Sequence, residues 1–189
     1  MDEPFVHKVF MKSGGDIEEQ IWLGKNGLSK DEATDQEKAV FTYPIKHYTY
    51  WKENLADDSI DMGAVGENFS VLEMDEFTVC IGDTYQFGDA IIQVSQPGSP
   101  SLKSVDDFRV LAQNNGRTGW FFRVVEEGHI ISRIDLELLE RPFPEWTIAA
   151  CNEIMHIYKD DLRMADELAS CTLLSTHWRR LLIRRLRGI

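Results

Sequence analysis

Two Gly-Asp pairs, Gly82-Asp83 and Gly88-Asp89, cut residues 77–95 into three short runs. No other feature restricts the fold as strongly. The runs 77–81, 84–87 and 89–95 are rich in β-branched and aromatic residues, and each is too short for a stable helix. Glycine supplies the backbone freedom for tight turns between them. Short strands joined by such turns predict a β-barrel or sandwich. Further strand-like runs at 5–11, 17–24, 39–43, 119–125 and 129–139 extend the pattern, with Gly14-Gly15-Asp16, Asn26-Gly27 and Glu126-Glu127-Gly128 as turns. Arg141-Pro142-Phe143-Pro144 then ends the β region, because proline can continue neither helix nor central strand.

Helical periodicity appears in two places inside the β region. Tyr43-Pro44 opens one helix, with Ile45, Tyr48, Trp51 and Leu55 on its apolar face and His47 off it, toward solvent. The second spans Val105 to Asn114, uses Phe108, Leu111 and Ala112 as its face, and stops at Gly116. Beyond Pro144 three helices are predicted: one capped by Thr147 to about Tyr158, one opened by Asp160-Asp161 to about Ala169, and one capped by Ser175 to Arg187. The last carries Trp178, Leu181, Leu182 and Leu186 as a stripe. The expected organisation is a mainly β domain, 1–143, followed by a small three-helix domain, 144–189.

Charge and composition exclude several functions. The formal charge is −12. The five basic residues from Arg179 onward lie in the last helix; without them 15 basic residues face 32 acidic ones, a balance of −17. Such a body repels polyanions, which disfavours duplex nucleic acid as a partner. The arginines could themselves bind nucleic acid, but they lack interleaved aromatics and suit a helix C-terminus, where a face docked on the acidic body is the plainer reading. No apolar run approaches the ~20 residues a membrane span needs. The opening Met1-Asp2-Glu3-Pro4 is acidic and lacks an apolar segment, so a secretory signal is not expected and the cytoplasm is the expected location. Cys80, Cys151 and Cys171 have no CxxC spacing, which argues against a disulfide framework or a zinc site, and Cys80 and Cys151 read as buried, inert thiols. There is no G-x-S-x-G, no phosphate loop, and no H-x-x-x-H pair among the histidines.

The one stretch with ligand chemistry is Gln93 to Lys103. It begins as a strand and breaks at Pro97-Gly98. Ser99, Ser101 and Lys103 follow two residues apart. In an extended backbone this spacing puts two hydroxyls and an ammonium on one side, a set suited to an anion such as a phosphate. The same residues also compose an ordinary polar turn, and taken alone they favour that reading.

Three segments together go further: Tyr43-Pro44-x-x-His47-Tyr48-x-Tyr50-Trp51; Gly66-Glu67-Asn68-Phe69-Ser70 with Glu76 and Ile81-Gly82-Asp83; and Ile92-Gln93-Val94-Ser95-Gln96-Pro97-x-x-Pro100-x-x-Lys103. In this order they resemble the MOSC domain, the C-terminal module of molybdenum-cofactor sulfurases, and more closely its stand-alone YiiM-like subgroup. Gly116-Arg117-Thr118-Gly119-Trp120 and Leu174-Ser175-x-x-Trp178 fit that subgroup too. The resemblance implies a MOSC-type β-barrel with flanking helices and a three-helix C-terminal domain. It also implies a cleft for a molybdenum cofactor (molybdopterin), an electron-donor protein as partner, and reduction of N-hydroxylated compounds such as hydroxylaminopurine base analogues. On that pattern Ser101 stands at the catalytic and metal position. Lys103, Gln96 and Ser99 would contact the cofactor's phosphate or pterin, and Asn68 and Arg117 would line the cleft.

The chain departs from the family pattern in two ways. The family has arginine at Gly98 and cysteine at Ser101; a thiolate ligates metal and carries sulfur, whereas a serine hydroxyl cannot form a persulfide and ligates only as an alkoxide. The family's His-Gly-Gly element before the Lys38-Ala39-Val40 segment is replaced by Asp35-Gln36-Glu37. Two readings follow. One is a reductase in which Ser101 takes the cysteine's place. The other is a non-catalytic relative that binds a small anionic ligand, a pterin or nucleotide phosphate, in the same cleft.

Overall fold

The structure is a computed structural model and describes residues 3–12 and 14–189; Met1 and Asp2, half of the acidic opening, lie outside them. In chain order the strands are β1 (Phe5–Val9), β2 (Ile21–Gly24), β3 (Gly27–Leu28), β4 (Val40–Pro44), β5 (Phe69–Leu72), β6 (Thr84–Phe87), β7 (Ala90–Pro97), β8 (Trp120–Glu126), β9 (Gly128–Ile130), β10 (Ile134–Asp135) and β11 (Glu137–Glu140). The α-helices are α1 (Lys46–Leu55), α2 (Phe108–Asn115), α3 (Ile148–Asn152), α4 (Leu162–Ala169) and α5 (Thr176–Leu186). Eight strands form one sheet in the order β10-β1-β5-β4-β8-β7-β6-β11, and β3-β2-β9 form a second, smaller sheet. The outermost strands of the large sheet, β10 and β11, are consecutive pieces of one segment separated only by Leu136. The sheet thereby curls nearly shut, with the Leu136 side chain fully buried and its N–H donating to the Pro4 carbonyl. This is the mainly β, barrel-like architecture with flanking helices that the sequence predicts.

Two apolar clusters fill the molecule. The larger runs from the barrel interior (Phe69, Phe87, Ile92, Trp120, Phe122) without a break into the helical segment (Ile148, Ile154, Leu168, Leu174, Trp178, Leu182). The smaller lies outside the barrel, where β4, α1 and α2 meet. There Phe41, Tyr43, Tyr48, Trp51, Phe108 and Ala112 pack with Leu102, and the Trp51 and Phe108 rings stand edge to face at 4.7 Å. This second cluster anchors the chain that leaves β7.

Several sequence-based expectations change. Residues 77–81 form a turn rather than a strand, with one isolated bridge between Cys80 and Thr147. The Asp75 carboxylate accepts the Phe77 and Thr78 N–H groups and its carbonyl the Val79 N–H, which closes the turn locally, while Val79 and Ile81 exchange backbone bonds with Ile148 and Trp146 instead of a sheet strand. Pro44 ends β4, paired with Val71, and the helix starts two residues later. His47 is buried rather than solvent-facing: its Nε2 lies 2.8 Å from Glu76 Oε2, and its ring stands edge-on to Tyr43. The helix predicted from Val105 begins at Phe108, and Gly116 in the left-handed region closes it as expected (φ 75°). Leu111 and Leu181 are exposed, so the apolar faces of α2 and α5 are narrower than their sequence stripes. The helix from Thr147 is α-helical only to Asn152 and continues as a π-helix over Glu153–Ile157. Among the described residues the tail arginines form no ion pair with acidic side chains of the barrel. Arg185 donates to the Ile154 and Met155 carbonyls, and Arg179 to that of Ala169.

Candidate functional site

At Pro97 the chain leaves β7 and Gly98 passes against the loop before β8, its N–H donating to the Gly119 carbonyl at 2.9 Å. A Cβ here would overlap the Thr118 carbonyl oxygen and come within 2.5 Å of Phe41 Cε2. The close approach requires glycine, so the arginine of the family pattern has no room in this chain. Past Pro100 the Ser101 N–H donates to the Val65 carbonyl at 3.1 Å, and Leu102 is held in the smaller apolar cluster. With those two points fixed, the Ser101 and Lys103 side chains are exposed on either side of a buried leucine.

Ser101, Lys103 and Ser104 form one wall of a cavity of about 620 Å³. A second wall is made by Phe10, Met11 and Lys12 with Gly14 and Gly15, and the third is the 57–67 segment with Asp57, Ser59, Gly66 and Glu67. Lys12 and Lys103 stand at the exposed rim, whereas Glu67 is buried. Glu67 is held from three directions. Its Oε1 accepts from Tyr48 Oη at 2.6 Å, Ser70 Oγ at 2.7 Å and the Gly63 N–H at 2.8 Å. Its Oε2 is buried and has no partner among the described residues. Burial first, and then the Glu67 carboxylate, raise the Tyr48 phenol far above its ordinary range, so it remains a donor.

The predicted site residues are only partly brought together. Ser101 and Lys103 share the cavity. Ser99 does not line it; with Ser101, Asp107 and Arg109 it lines a neighbouring hollow of about 300 Å³. Residues 98–102 belong to no strand and Lys103 opens a turn, and although exposed and buried residues alternate over 99–103, Ser99 and Lys103 line different hollows. Asn68 does not line the cavity either. It is buried one residue past Glu67, where Oδ1 accepts the Phe41 N–H at 3.0 Å and Nδ2 donates to the Phe10 carbonyl at 3.3 Å. Gln96 is buried on the far side of the bend, its Oε1 accepting from Ser175 Oγ at 2.7 Å, and so ties β7 to the start of α5. Arg117 lies 3.5 Å above the Tyr50 ring, and its carbonyl accepts from Tyr43 Oη. Asn68 and Gln96 are therefore scaffold in this structure.

Sequence reasoning missed Glu67 and Lys12 as lining residues. For Glu67 a signal existed: alternation puts it on the same side as Phe69 and Val71, both buried. Lys12 carries no such signal. His47 and Glu76, two further buried polar members of the family motif, do not line the cavity. Glu76 Oε1 accepts the Gly119 N–H at 2.7 Å, which fixes the loop against which Gly98 packs.

The cavity suits the phosphorylated organic part of a molybdopterin-type group. Two ammonium groups and the Ser101 and Ser104 hydroxyls offer charge-assisted donors for a phosphate, and the volume falls within the ordinary range for ligands of that size. It offers no thiolate. Cys80, Cys151 and Cys171 are all buried away from the cavity. Burial and Asp83 push the Cys80 thiol up to about 11, and burial also raises the other two. Among the described residues no three His, Cys, Asp or Glu side chains form a metal-binding group. Where the family pattern has His-Gly-Gly, Gln36–Lys38 form a short 3-10 turn capped by Asp35. Its Glu37 binds Arg123 and the N–H of Thr176 at the start of α5.

Comparison with known proteins agrees with this architecture. The MOSC domain family model matches residues 24–133. The chain is 36% identical to YflK of Bacillus subtilis over 148 residues, 76% of this chain and 66% of that protein. It is 31% identical to YiiM of Escherichia coli over 182 residues, 89% of this chain and 81% of that protein. A Gibberella moniliformis protein named reductase is 37% identical over 167 residues, 82% of this chain but only 29% of the fungal protein. The crystal structure of Escherichia coli YiiM superposes with a TM-score of 0.89 at 30% identity, covering all of this chain and 95% of that one. That of YiiM from Geobacillus stearothermophilus gives 0.87 at 28% identity, covering 97% and 99%. With the family segment spanning more than half its length and both YiiM structures overlaying almost all of it, the chain belongs to the MOSC domain family.

Proposed function

We propose that the chain holds a phosphorylated molybdopterin-type cofactor in the Ser101–Lys103 cavity and works with it as a reductase of N-hydroxylated compounds, hydroxylaminopurine-type bases among them. The observation that carries the reading is the convergence of Ser101, Lys103 and Lys12 on one cavity of about 620 Å³. Membership of a family associated with the molybdenum cofactor and the reductase name of the fungal relative support it. Lys12 and Lys103 would neutralise the phosphate, Ser104 would donate to it, and Ser101 would present the protein's oxygen toward the metal. The cofactor would supply two-electron chemistry: an N-hydroxylamine takes up two electrons and two protons and leaves as amine and water. The electrons would come from a donor protein. The setting would be the cytoplasm, where three thiols without a disulfide stay reduced.

A second reading is binding without turnover, favoured by one specific observation: no cysteine reaches the cavity. Ser101→Cys separates the two. Because the native thiols are buried, this variant should show one rapidly reacting thiol in the folded protein where the parent shows none. Both forms, made in a cofactor-competent host, are assayed for molybdenum and for hydroxylaminopurine reduction. Stoichiometric metal and turnover in the parent support the reductase. Metal and turnover gained only by Ser101→Cys support the binding-only reading. Absence of metal from both forms and from a Lys103→Ala control alike overturns the cofactor assignment.

A further inference from the structure

Among the described residues Ser101 alone borders both the cavity of about 620 Å³ and the neighbouring hollow of about 300 Å³. Its place between them is held. Its N–H donates to the Val65 carbonyl at 3.1 Å, and Pro100 and Leu102 on either side of it are buried. The smaller hollow is framed further by Ser99, Val105, Asp107 and Arg109, at the start of α2. That start is fixed too. Asp107 stands in the left-handed region (φ 54°) and its carbonyl accepts the Val110 N–H at 2.8 Å. The next residue, Phe108, packs on Trp51 in the same apolar cluster that holds Leu102.

The two hollows differ in chemistry. The larger has two lysines at its rim, whereas the smaller sets one carboxylate and one guanidinium beside two hydroxyls. Ser99, Ser101, Asp107 and Arg109 are all exposed, so a solute reaches each of them. The Asp107 side chain makes no capping bond, and among the described residues neither it nor Arg109 is in an ion pair. An acceptor and a donor of opposite charge suit a neutral ring edge on which an N–H lies beside a ring nitrogen. The volume is at the lower end of the ~300–1,000 Å³ of ligand sites, which leaves room for a single base.

We propose that the smaller hollow takes the substrate, an N-hydroxylated amidine edge such as that of a hydroxylaminopurine. Asp107 accepts its N–H, Arg109 donates to the adjacent ring nitrogen, and the N–OH group lies toward Ser101. This assignment rests on the reductase reading given above and gives it a second site: Ser101 has the cofactor cavity on one side and the base on the other. An alkyl hydroxylamine lacks the ring nitrogen and meets only half of the pair. Asp107 and Arg109 are specificity residues here, and no redox step depends on them.

The test is a binding titration on the protein without cofactor, followed by the NMR linewidths of the ligand. The probes are adenine, which is the amine product of such a substrate, purine, which lacks the amino group, and inorganic phosphate. A hydrogen bond to a charged acceptor corresponds to about a 10-fold affinity difference or more, and the parent should prefer adenine to purine by that factor. Asp107→Gly removes the carboxylate and suits the left-handed backbone, so it should fold and lose the preference. Arg109→Gln should weaken adenine and purine alike, because both carry the ring nitrogen. Lys103→Ala should weaken phosphate and leave adenine unchanged. Absence of adenine binding by the parent, or equal binding of adenine and purine, overturns the proposal; this comparison requires no variant to fold. Loss of adenine binding in Lys103→Ala but not in Asp107→Gly puts the base in the larger cavity and overturns it as well. Failure of phosphate alone to bind counts against the cofactor cavity, whereas the adenine preference and its loss in Asp107→Gly still support the base site.

Discussion

Arg141 lies just past the last strand, and removing its guanidinium should destabilise the folded protein. Asp83 is fully buried between β6 and the turn before it. Its Oδ1 accepts from Arg141 Nε at 2.8 Å; its Oδ2 accepts from Arg141 Nη2 at 2.7 Å, the Cys80 N–H at 2.9 Å and Tyr85 Oη at 3.2 Å. Arg141→Met retains most of the apolar stem and deletes both charge-assisted bonds. Breaking a buried pair from one side costs about 3–5 kcal/mol. The lower end applies, about 3 kcal/mol, because Arg141 is 35% exposed and two neutral donors stay on the carboxylate. For a chain of this length that is a fall in Tm of roughly 6–12 °C. Urea unfolding should show a lower midpoint at unchanged slope. Asp83→Asn in the same background removes the stranded charge, so the double variant should be more stable than the sum of the two single losses implies. A loss below about 1 kcal/mol for Arg141→Met, or strict additivity in the double variant, would refute the reasoning that the pair acts as one buried unit.

Gly98→Ala should lower stability by at least about 2 kcal/mol, since its Cβ has backbone and a packed ring to displace; an unchanged urea midpoint would show that the bend yields. His156 is held at about 4, chiefly by burial and further by the nearby Lys159 and Arg185 charges. Its folded pKa lies below the unfolded value, so the unfolded chain takes the proton first, and stability drops as pH falls from about 6.5 and levels near 4. The ring is only partly buried, so solvent screening reduces the effect to about 1–2 kcal/mol. His156→Gln should remove that part of the slope, and thermal melts of both proteins between pH 7 and 4 that stay parallel would contradict it.

What the sequence revealed was local. The β6–β7 hairpin is readable because Gly88-Asp89 sits between two alternating runs, and the register Phe87↔Ala90 follows from that two-residue turn. The start of α5 is readable because Ser175 supplies its own cap, accepting the Trp178 N–H. The misses depend on distant partners. His47 looked exposed because Glu76, which buries it, is 29 positions away. The Ser99–Lys103 spacing foretold the alternation of exposed and buried residues but not that Ser99 and Lys103 border different hollows, because the segment that separates them, held by the Val65 carbonyl, is far off in sequence. The cavity itself joins three segments from separate parts of the chain, and only the one holding Ser101 and Lys103 announced its chemistry.

The way the sheet curls shut has a practical consequence. The stretch recognised as the family's own, 24–133, contains β4 to β8 but omits β1, β10 and β11. A fragment cut to those limits would strip β5 of its antiparallel neighbour and β6 of its outer one, leaving two raw ladders ready to zip onto other copies. Anyone trimming this protein to its recognisable heart should expect inclusion bodies; the N-terminal strand and the residues through Glu140 are staves of the same cask.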